Sequence, residues 1–335
     1  MSDCDRGPSA RFRVLATARS FCRNDGPHMA RLRDDGCDVD LGAQDQPLSA
    51  AELAARIPGY DGVILGLDAC DASVFAAADR LRAVSRYGVG VDAVDLDAAT
   101  AHGVTVTNTP GSNATAVAEL AIGLMFALAR DLPRAAASAK ARRFERSTGW
   151  ELSGRTLGLV GYGTIGREVA RRADALGMHV LAHDPFRSES FAPAEATDLA
   201  SLLRASDVVS LHAALTPDTR RLLDAPNLSL MPPHAVLVNT ARGDLVDEAA
   251  LYDALRERRL AGAALDAFAH EPPHESPLLD LDTVIATPHL GAATRESVER
   301  TALLAAGNLA DVLHGRFCPH VVNRDVLATL EPPTP

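Results

Sequence analysis

Three polar residues with catalytic chemistry follow apolar, strand-like runs in the second half of the chain. Arg242 comes after LVNTA, Glu271 after LDAFAH and His289 after IATP. Taken singly, each has an ordinary explanation, since loop Arg and Glu residues are usually solvated charges and a His after Pro is usually structural. Together they supply a cationic clamp, an acid and an orienting carboxylate. Because ligands of open α/β sheets bind at the strand ends, this set could reduce a 2-oxo acid beside a dinucleotide.

A dinucleotide site is indicated by the stretch LGLVGYGTIGREVA, which has the pattern of an apolar strand, a glycine turn and a helix. Gly161, Gly163 and Gly166 have the G-x-G-x-x-G spacing that lets a backbone approach a pyrophosphate. Glycine clusters also mark turns without a ligand, but Asp184 ends the next strand, where a carboxylate accepts hydrogen bonds from ribose hydroxyls. A carboxylate there repels a 2′-phosphate and favours NAD, while Arg187, just past it, keeps NADP open.

Apolar runs alternate with helical segments along the chain, and most are continuous rather than alternating. Continuous runs are typical of parallel strands covered on both faces. The sequence therefore predicts a small α/β domain, followed by a larger doubly wound sheet and a long final helix. The predicted strands are 12–18, 37–41, 61–67, 81–88, 104–110, 156–161, 179–184, 207–212, 235–241, 262–268 and 283–289, and the longer predicted helices are 114–130, 134–144 and 294–315.

Composition narrows the class of protein. The 335 residues are 47% hydrophobic and 23% charged with a net charge of −11, which argues against nucleic acid or an anionic membrane as the main partner. Five scattered cysteines without a C-x-x-C pair predict reduced thiols in a cytoplasmic protein, with neither disulfide framework nor metal site. The N-terminus has no apolar signal core, so no export signal is expected.

Six stretches, in order over nearly the whole chain, resemble the D-2-hydroxyacid dehydrogenase family, and most of all its 3-phosphoglycerate dehydrogenase-like branch. They are SRYGVGVDAVDLDAA, VTNTPGSNATAVAELAIG, GRTLGLVGYGTIGREVA, VLVNTARGDLVDEAALYDAL, AGAALDAFAHEPP and ATPHLGAAT. The resemblance implies two Rossmann/flavodoxin-like, doubly wound parallel-sheet domains, with the NAD domain inserted into the substrate domain. The implied substrate domain covers 1–108 and 295–335, and the NAD-binding Rossmann domain covers 109–294.

The resemblance gives the three polar residues their roles. Arg242 matches the family arginine that grips the substrate carboxylate and polarises the 2-carbonyl, to which a planar guanidinium is suited. His289 matches the acid/base that protonates the carbonyl oxygen, and Glu271 matches the carboxylate that holds the ring and favours the imidazolium. Formate dehydrogenases of the superfamily have glutamine at this glutamate position, so Glu271 argues against that reaction.

Cofactor contacts are implied in the same way. Asp266 matches the aspartate that contacts the nicotinamide carboxamide, and the family's H-x-P-L-T loop is HAALT here, with Ala214 in place of Pro. The implied cofactor-binding residues are Gly161, Gly163, Thr164, Ile165, Gly166, Asp184, His212, Thr216, Thr240, Ala241, Asp266, Gly291 and Ala292.

The first domain would bind substrate through the turn YGVGVD. Gly88, Val89 and Gly90 would offer main-chain N–H groups to the substrate carboxylate, with an ordinary strand-to-helix turn as the alternative. Phosphonate dehydrogenases have a lysine in this turn, so Val89 argues against that activity. Arg19 and Arg23, after the first strand, are candidates for holding a distal phosphate or phosphonate, or are two solvated loop arginines.

We therefore expect an NAD-dependent oxidoreductase that transfers a hydride between nicotinamide and C2 of a small 2-hydroxy or 2-oxo acid. 3-Phosphoglycerate, glyoxylate, hydroxypyruvate and a phosphonate analogue are the candidate substrates. The alternatives are a catalytically idle relative and an NAD(H)-sensing, corepressor-like scaffold. The C-terminal binding protein corepressors keep the Arg-Glu-His set, but they carry a long disordered tail that this sequence lacks. The resemblance also implies a homodimer through the segment 112–150 of the NAD domain.

Overall fold

The structure, a computed structural model, describes residues 11–328 with the exception of 24, 43, 45, 188 and 189. The chain divides into two compact units: unit 1 comprises residues 1–113 and 294–335, and unit 2 comprises 114–293. Residues 1–10 and 329–335 lie outside the described residues. They include Cys4, the N-terminal segment without a signal core and the outer bounds of the predicted substrate domain.

Unit 1 begins with five strands joined by short helices. In chain order they are β1 (Phe12–Ala16), α1 (Arg19–Cys22), α2 (Pro27–Asp34), β2 (Cys37–Leu41), α3 (Ala50–Arg56), β3 (Gly62–Leu65), α4 (Ala72–Ala77), β4 (Ala83–Arg86), α5 (Leu96–Ala101) and β5 (Thr105–Thr107). The strands form one parallel sheet in the order β2-β1-β3-β4-β5. Ser49 caps α3 in a capping box with Glu52.

Unit 2 has seven parallel strands in the order β12-β11-β10-β9-β6-β7-β8. Its elements are α6 (Ala114–Arg130), α7 (Leu132–Lys140), β6 (Thr156–Val160), α8 (Thr164–Ala175), β7 (His179–His183), β8 (Glu195–Ala196), α9 (Leu199–Ala205), β9 (Val208–Leu211), α10 (Ala225–Leu228), β10 (Val236–Asn239), α11 (Glu248–Arg256), β11 (Gly262–Leu265) and β12 (Val284–Ala286), with 3₁₀ turns at Gly243–Leu245 and Pro277–Asp280. The strand order reverses beside β6, so the switch point of this doubly wound sheet lies between β6 and β9.

Both faces of the unit 2 sheet are buried. Leu157 and Leu159 of β6 pack with α6 and α8 in one apolar cluster, whereas Val160 packs with residues of α9 and α11 in a second. Strands covered on both faces must be apolar throughout, which is why these runs are continuous in the sequence. The predicted fold class, two doubly wound parallel-sheet units with the second inserted into the first, is confirmed.

The final helix, α12 (Arg295–Leu313), returns to unit 1 and is followed by a 3₁₀ turn over Arg324–Ala328. Ser85 of β4 donates a hydrogen bond from Oγ to the Ala305 carbonyl of α12. The buried Asn323 then accepts from the Val106 N–H and donates to the Val104 carbonyl, so the C-terminal segment bonds to the edge strand β5. The N- and C-terminal parts of the chain therefore share one core.

One predicted helix ends early. The helix expected over 134–144 is α7, which begins at Leu132 and ends at Lys140. Arg142 and Phe144 both have positive φ values, 60° and 59°, which a right-handed helix cannot contain. Among the described residues, none of the helices has the length and apolar character needed to span a membrane.

Candidate active site

The glycine turn between β6 and α8 lies at the switch point of the unit 2 sheet. Gly161 has φ of 93°, and a Cβ there would lie 2.6 Å from the Ala213 N atom, so close backbone packing requires glycine. A Cβ on Gly163, in contrast, would meet no atom within 4 Å. Gly163 therefore faces open space at the N-terminus of α8, where Thr164 and Ile165 begin the helix and its dipole favours an anion.

Asp184, just after β7, holds this turn through its side-chain carboxylate. Its Oδ2 accepts from the Tyr162 N–H at 2.8 Å, and its Oδ1 accepts from the Phe186 N–H at 3.1 Å. Arg187 donates to the Ser190 carbonyl from Nε and Nη2, and its guanidinium lies over the Tyr162 ring. The cation is thus engaged by the Ser190 carbonyl and the Tyr162 ring, which agrees with a site for NAD rather than NADP.

His212 and Thr216 lie in the loop after β9. His212 Nε2 lies 2.9 Å from Ser210 Oγ, and burial lowers the pKa of this imidazole to about 4. His212 is therefore neutral at physiological pH, beside the backbone of Gly161. Thr216 Oγ1 accepts from the Thr219 N–H and lies 3.1 Å from Thr219 Oγ1, so the loop is closed by its own side chains.

Arg242 lies in a turn that Asn239 fixes at the end of β10. The buried Asn239 side chain donates from Nδ2 to the Arg242 carbonyl at 2.8 Å and accepts from the Ala241 N–H at 3.0 Å. Arg242 itself donates from Nη1 to the Ala241 carbonyl at 2.9 Å. Thr240, next to this turn, is buried, and its Oγ1 has no hydrogen-bond partner among the described residues. An unsatisfied buried hydroxyl is costly unless a ligand completes it.

The loops after β10 and β11 touch at Gly243. A Cβ on Gly243 would lie 1.9 Å from the carbonyl carbon of Phe268, so a larger residue here would force the two loops apart. Glu248 of α11 adds a second tie, because its Oε1 accepts from the Ala269 N–H at 2.7 Å. The turn that carries Arg242 and the loop that carries Glu271 are therefore held together.

Glu271 and His289 form a hydrogen-bonded pair. His289 Nδ1 lies 2.9 Å from Oε2 and 3.0 Å from Oε1 of Glu271, and the Phe268 N–H also donates to Oε1. Burial alone would raise the pKa of the Glu271 carboxyl, but the hydrogen bond and charge interaction with His289, the Phe268 N–H and the nearby Arg242 charge hold that pKa below its usual value. The carboxylate form is thus the one that the site favours.

His289 has a left-handed backbone conformation, with φ of 53°. For a residue other than glycine, such a conformation costs about 1–3 kcal/mol and persists only where neighbouring contacts maintain it. Those contacts come from Asp266, at the end of β11, whose carboxylate accepts from Thr287 Oγ1, from the Leu290 N–H and from the Gly291 N–H. Ala292 follows in the same loop.

The predicted substrate turn lies in unit 1, after β4. The Gly88 N–H donates to the Arg86 carbonyl, while the Gly88 carbonyl accepts from the Thr109 N–H at 3.0 Å. Val89 accepts from Asn108 Nδ2 at 2.8 Å, and its side chain is exposed. The turn with Gly90 is therefore well anchored, but the Gly88 amide is already used within it. Arg19 begins α1 and Arg23 follows it, both exposed.

The structure adds positioning residues that sequence reasoning missed: Asn239, Glu248 and Thr287. Each bonds to a loop that carries one of the three polar residues. A buried Asn ending an apolar strand is a signal that could have indicated the first. Glu248 accepts from a backbone amide and Thr287 donates to a side-chain carboxylate, and both partners are about twenty residues away, so the sequence alone gives no sign of either contact.

Unit 2 has the features of a dinucleotide-binding domain. They are a glycine turn at the strand switch, a carboxylate at the end of the next strand and a His–Glu pair on the same sheet edge. Residues 122–291 match the model of the NAD-binding domain of D-isomer specific 2-hydroxyacid dehydrogenases. The chain belongs to this family, and its cofactor is NAD. The described residues fit that cofactor, because Gly163 leaves open space and Thr240 has an unsatisfied buried hydroxyl.

The chain is 43% identical over 283 residues to D-3-phosphoglycerate dehydrogenase of Methanocaldococcus jannaschii, covering 82% of this chain and 54% of that protein. It is 41% identical over 270 residues to hydroxypyruvate reductase of Thermotoga maritima, covering 79% and 88%. The crystal structure of the TT0316 protein from Thermus thermophilus superposes with a TM-score of 0.84 at 42% identity, covering 92% and 99%. The chain thus spans about half the length of the phosphoglycerate dehydrogenases that it matches, and these comparisons confirm the family resemblance.

Gly163 and Gly161 provide a matched pair of substitutions for testing the cofactor site. We expect Gly163→Ala to leave the free energy of unfolding within about 1 kcal/mol of the wild type but to raise the Kd for NADH about tenfold or more, because the methyl group occupies the pyrophosphate approach. Gly161→Ala should instead lower the free energy of unfolding by about 2 kcal/mol or more, because of its positive φ and the contact with Ala213. Urea titration and NADH fluorescence measure both effects; tight NADH binding by Gly163→Ala would contradict this placement.

The lowered pKa of His212 predicts a pH dependence of stability. The unfolded chain takes up a proton below about pH 6.5, whereas the folded chain does so only near pH 4, so stability falls as the pH drops through this window. Between pH 7 and pH 5, the wild type should lose about 2 kcal/mol more than His212→Asn. Trp150, the single tryptophan, lies in unit 2, so its fluorescence in urea reports unfolding of this unit. Parallel pH curves for the two proteins would show that His212 is not buried in this way.

Proposed function

We propose that the protein is an NAD-dependent oxidoreductase that interconverts a small D-2-hydroxy acid and its 2-oxo acid. The observation that carries this proposal is the Glu271–His289 pair, at 2.9 and 3.0 Å, beside the loop that carries Arg242. An imidazole oriented by a carboxylate is suited to general acid–base chemistry near neutral pH. The names of relatives as hydroxypyruvate reductase and D-3-phosphoglycerate dehydrogenase support the same reaction class.

The geometry of the pair supports one ring nitrogen of His289 as the proton-transferring atom. Nδ1 of His289 faces Glu271, so Nε2 is the nitrogen that remains for the substrate oxygen. In the direction of reduction, Nε2 gives its proton to the 2-oxo group, while the Glu271 carboxylate holds the ring through Nδ1. Arg242 binds the substrate carboxylate and polarises the carbonyl through its planar guanidinium. Bound NAD supplies the hydride chemistry.

Unit 2 would bind the cofactor and unit 1 the substrate. Unit 2 holds the cofactor, through the glycine turn, Asp184 and the loops after β9, β10 and β11. Unit 1 would act as the substrate domain, through the turn at Gly88–Gly90, with Arg19 and Arg23 as the candidate pair for a distal phosphate or phosphonate. In a chain of net charge −11, an anionic substrate depends on such locally placed cations.

Cysteine chemistry supports a cytoplasmic location. Three cysteines of the described residues, Cys37, Cys70 and Cys318, are buried free thiols. Burial raises the pKa of Cys37 to about 11 and that of Cys70 to about 12, so both stay protonated. Unpaired buried thiols are typical of a reducing compartment.

The proposed activity predicts NADH oxidation with at least one of glyoxylate, hydroxypyruvate, pyruvate, phosphohydroxypyruvate and phosphonopyruvate. We expect His289→Ala to lower kcat by about 10²–10⁴-fold, because the general acid is removed. Arg242→Lys should raise KM for the 2-oxo acid, since an ammonium cannot bond two oxygens in one plane. His270→Ala, an exposed histidine next to Glu271, is the matched control and should retain activity. Full activity of His289→Ala would refute the mechanism, and a wild type inactive on all five acids would refute the function.

We also infer a homodimer formed through unit 2. A groove between α6 and α8 is lined by Ile122, Phe126 and Leu176, and Phe126 is 39% exposed. Glu119 and Arg172 pair at 3.3 Å along the same groove, giving the apolar surface a polar border. Exposed apolar grooves with polar borders are typical of subunit interfaces.

The dimer proposal predicts that Phe126→Glu converts the protein to a monomer. A buried, unpaired carboxylate in the interface would cost more than the contact contributes. Leu303→Glu is the matched control, because Leu303 of α12 is also 39% exposed but lies in unit 1. Sedimentation velocity should show a dimer for the wild type and Leu303→Glu, and a monomer for Phe126→Glu; a dimeric Phe126→Glu would exclude this groove.

A further inference from the structure

The carboxylate of Asp266 binds the loop after β12 at three points. Its Oδ1 accepts from Thr287 Oγ1 at 2.6 Å and from the Leu290 N–H at 2.7 Å, and its Oδ2 accepts from the Gly291 N–H at 2.8 Å. Asp266 is 1% exposed, so its charge must be stabilised by protein donors rather than by water. The loop therefore closes around a buried negative charge.

His289 lies at the tip of this closed loop. Thr287 precedes it and Leu290 and Gly291 follow it, so the donors to Asp266 flank it on both sides. Its backbone has φ of 53°, which a histidine does not favour, and its N–H donates to the Thr287 carbonyl at 3.0 Å. If the loop opened, His289 would relax to an ordinary conformation and its ring would turn away from Glu271.

The same aspartate is also tied to the strand that carries Arg242. The Asp266 N–H donates to the Asn239 carbonyl at 2.9 Å, and the Asn239 side chain bonds to the Arg242 carbonyl at 2.8 Å. A displacement of Asp266 would therefore move both the turn that carries Arg242 and the loop that carries His289. The two contacts connect the loops after β10 and β12 through the end of β11.

We propose that Thr287 and Asp266 are positioning residues that hold His289 in its left-handed conformation and keep its Nδ1 against Glu271. This inference rests on the proposed function, in which His289 is the acid. Thr287 is the better residue to test, because its hydroxyl touches the carboxylate but not the ring of His289. Both carboxylate oxygens of Asp266 accept hydrogen bonds from this loop. Asp266 therefore positions His289 in addition to any contact that it makes with the cofactor.

The test compares Thr287→Val, which removes the hydroxyl at nearly constant volume, with Thr287→Ser, which keeps it. We expect Thr287→Val to lower kcat about tenfold with the 2-oxo acid that the wild type reduces best, since a small misplacement of a catalytic group is costly. KM for NADH should change less than about twofold. Thr287→Ser should recover most of kcat. Thr301→Val is the matched control, because it removes a buried hydroxyl whose 2.9 Å hydrogen bond to Ser112 lies in unit 1.

A double-mutant cycle separates positioning from a general structural defect. If Thr287 acts through His289, then Thr287→Val should change the residual rate of His289→Ala less than about twofold. A general defect would instead lower that residual rate by the same factor as in the wild type. An equal loss in both backgrounds, or a wild-type kcat for Thr287→Val, would overturn the proposal, as would failure of Thr287→Ser to restore the rate.

Hydrogen exchange of the cofactor-free protein gives a readout that does not depend on activity. The Leu290 and Gly291 amides donate to Asp266, so a peptide spanning 287–294 should exchange about tenfold faster in Thr287→Val than in Thr287→Ser. Unchanged exchange would overturn the proposal even in an active enzyme. A wild type that reduces no 2-oxo acid would refute the proposed function, while faster exchange in Thr287→Val would still support the loop closure.

Discussion

The site of unit 2 is organised by the buried carboxylate of Asp266, which requires hydrogen-bond donors from the protein. Asp266 has almost no contact with water, so its charge requires donors, and the chain supplies them from a loop that begins more than twenty residues later. The same residue is bonded through its backbone to the neighbouring strand. Asp266 thus connects three loops. Its side chain bonds to the loop with His289, its backbone N–H bonds to the strand before Arg242, and Glu271 follows it in the same loop.

The parallel sheet makes this arrangement possible. Because every strand of unit 2 runs in the same direction, the loops after β6, β9, β10, β11 and β12 all leave from one edge. Loops in such a position would be free to move, but close backbone contacts at Gly161 and Gly243 remove that freedom. The N-terminus of α8 and the His–Glu pair are thus fixed on the same sheet edge, as the proposed reaction requires of a site that holds both a cofactor and a proton donor.

Much of this could be predicted from sequence, for identifiable reasons. Doubly covered strands are continuous apolar runs, and a glycine turn before a helix has a fixed spacing, so the fold and the turn at Gly161–Gly166 follow from local pattern. Arg242, Glu271 and His289 carry reactive groups and stand out at strand ends. Glu248 and Thr287 do not stand out, because their partners, the Ala269 amide and the Asp266 carboxylate, are distant in sequence and are known only once the chain is folded. The early end of α7 likewise depends on the positive φ values of Arg142 and Phe144, which their residue types do not suggest.

The contacts of Asp184 have a consequence for how coenzyme preference can evolve in this chain. Its carboxylate, which we propose binds the ribose, accepts from two backbone amides, one of them inside the glycine turn. Replacing it to admit a 2′-phosphate would leave those amides without an acceptor and loosen the turn that every dinucleotide needs. A lineage that moved toward NADP would first have to acquire another acceptor for the Tyr162 N–H, so the order of substitutions is constrained even though each step is chemically simple.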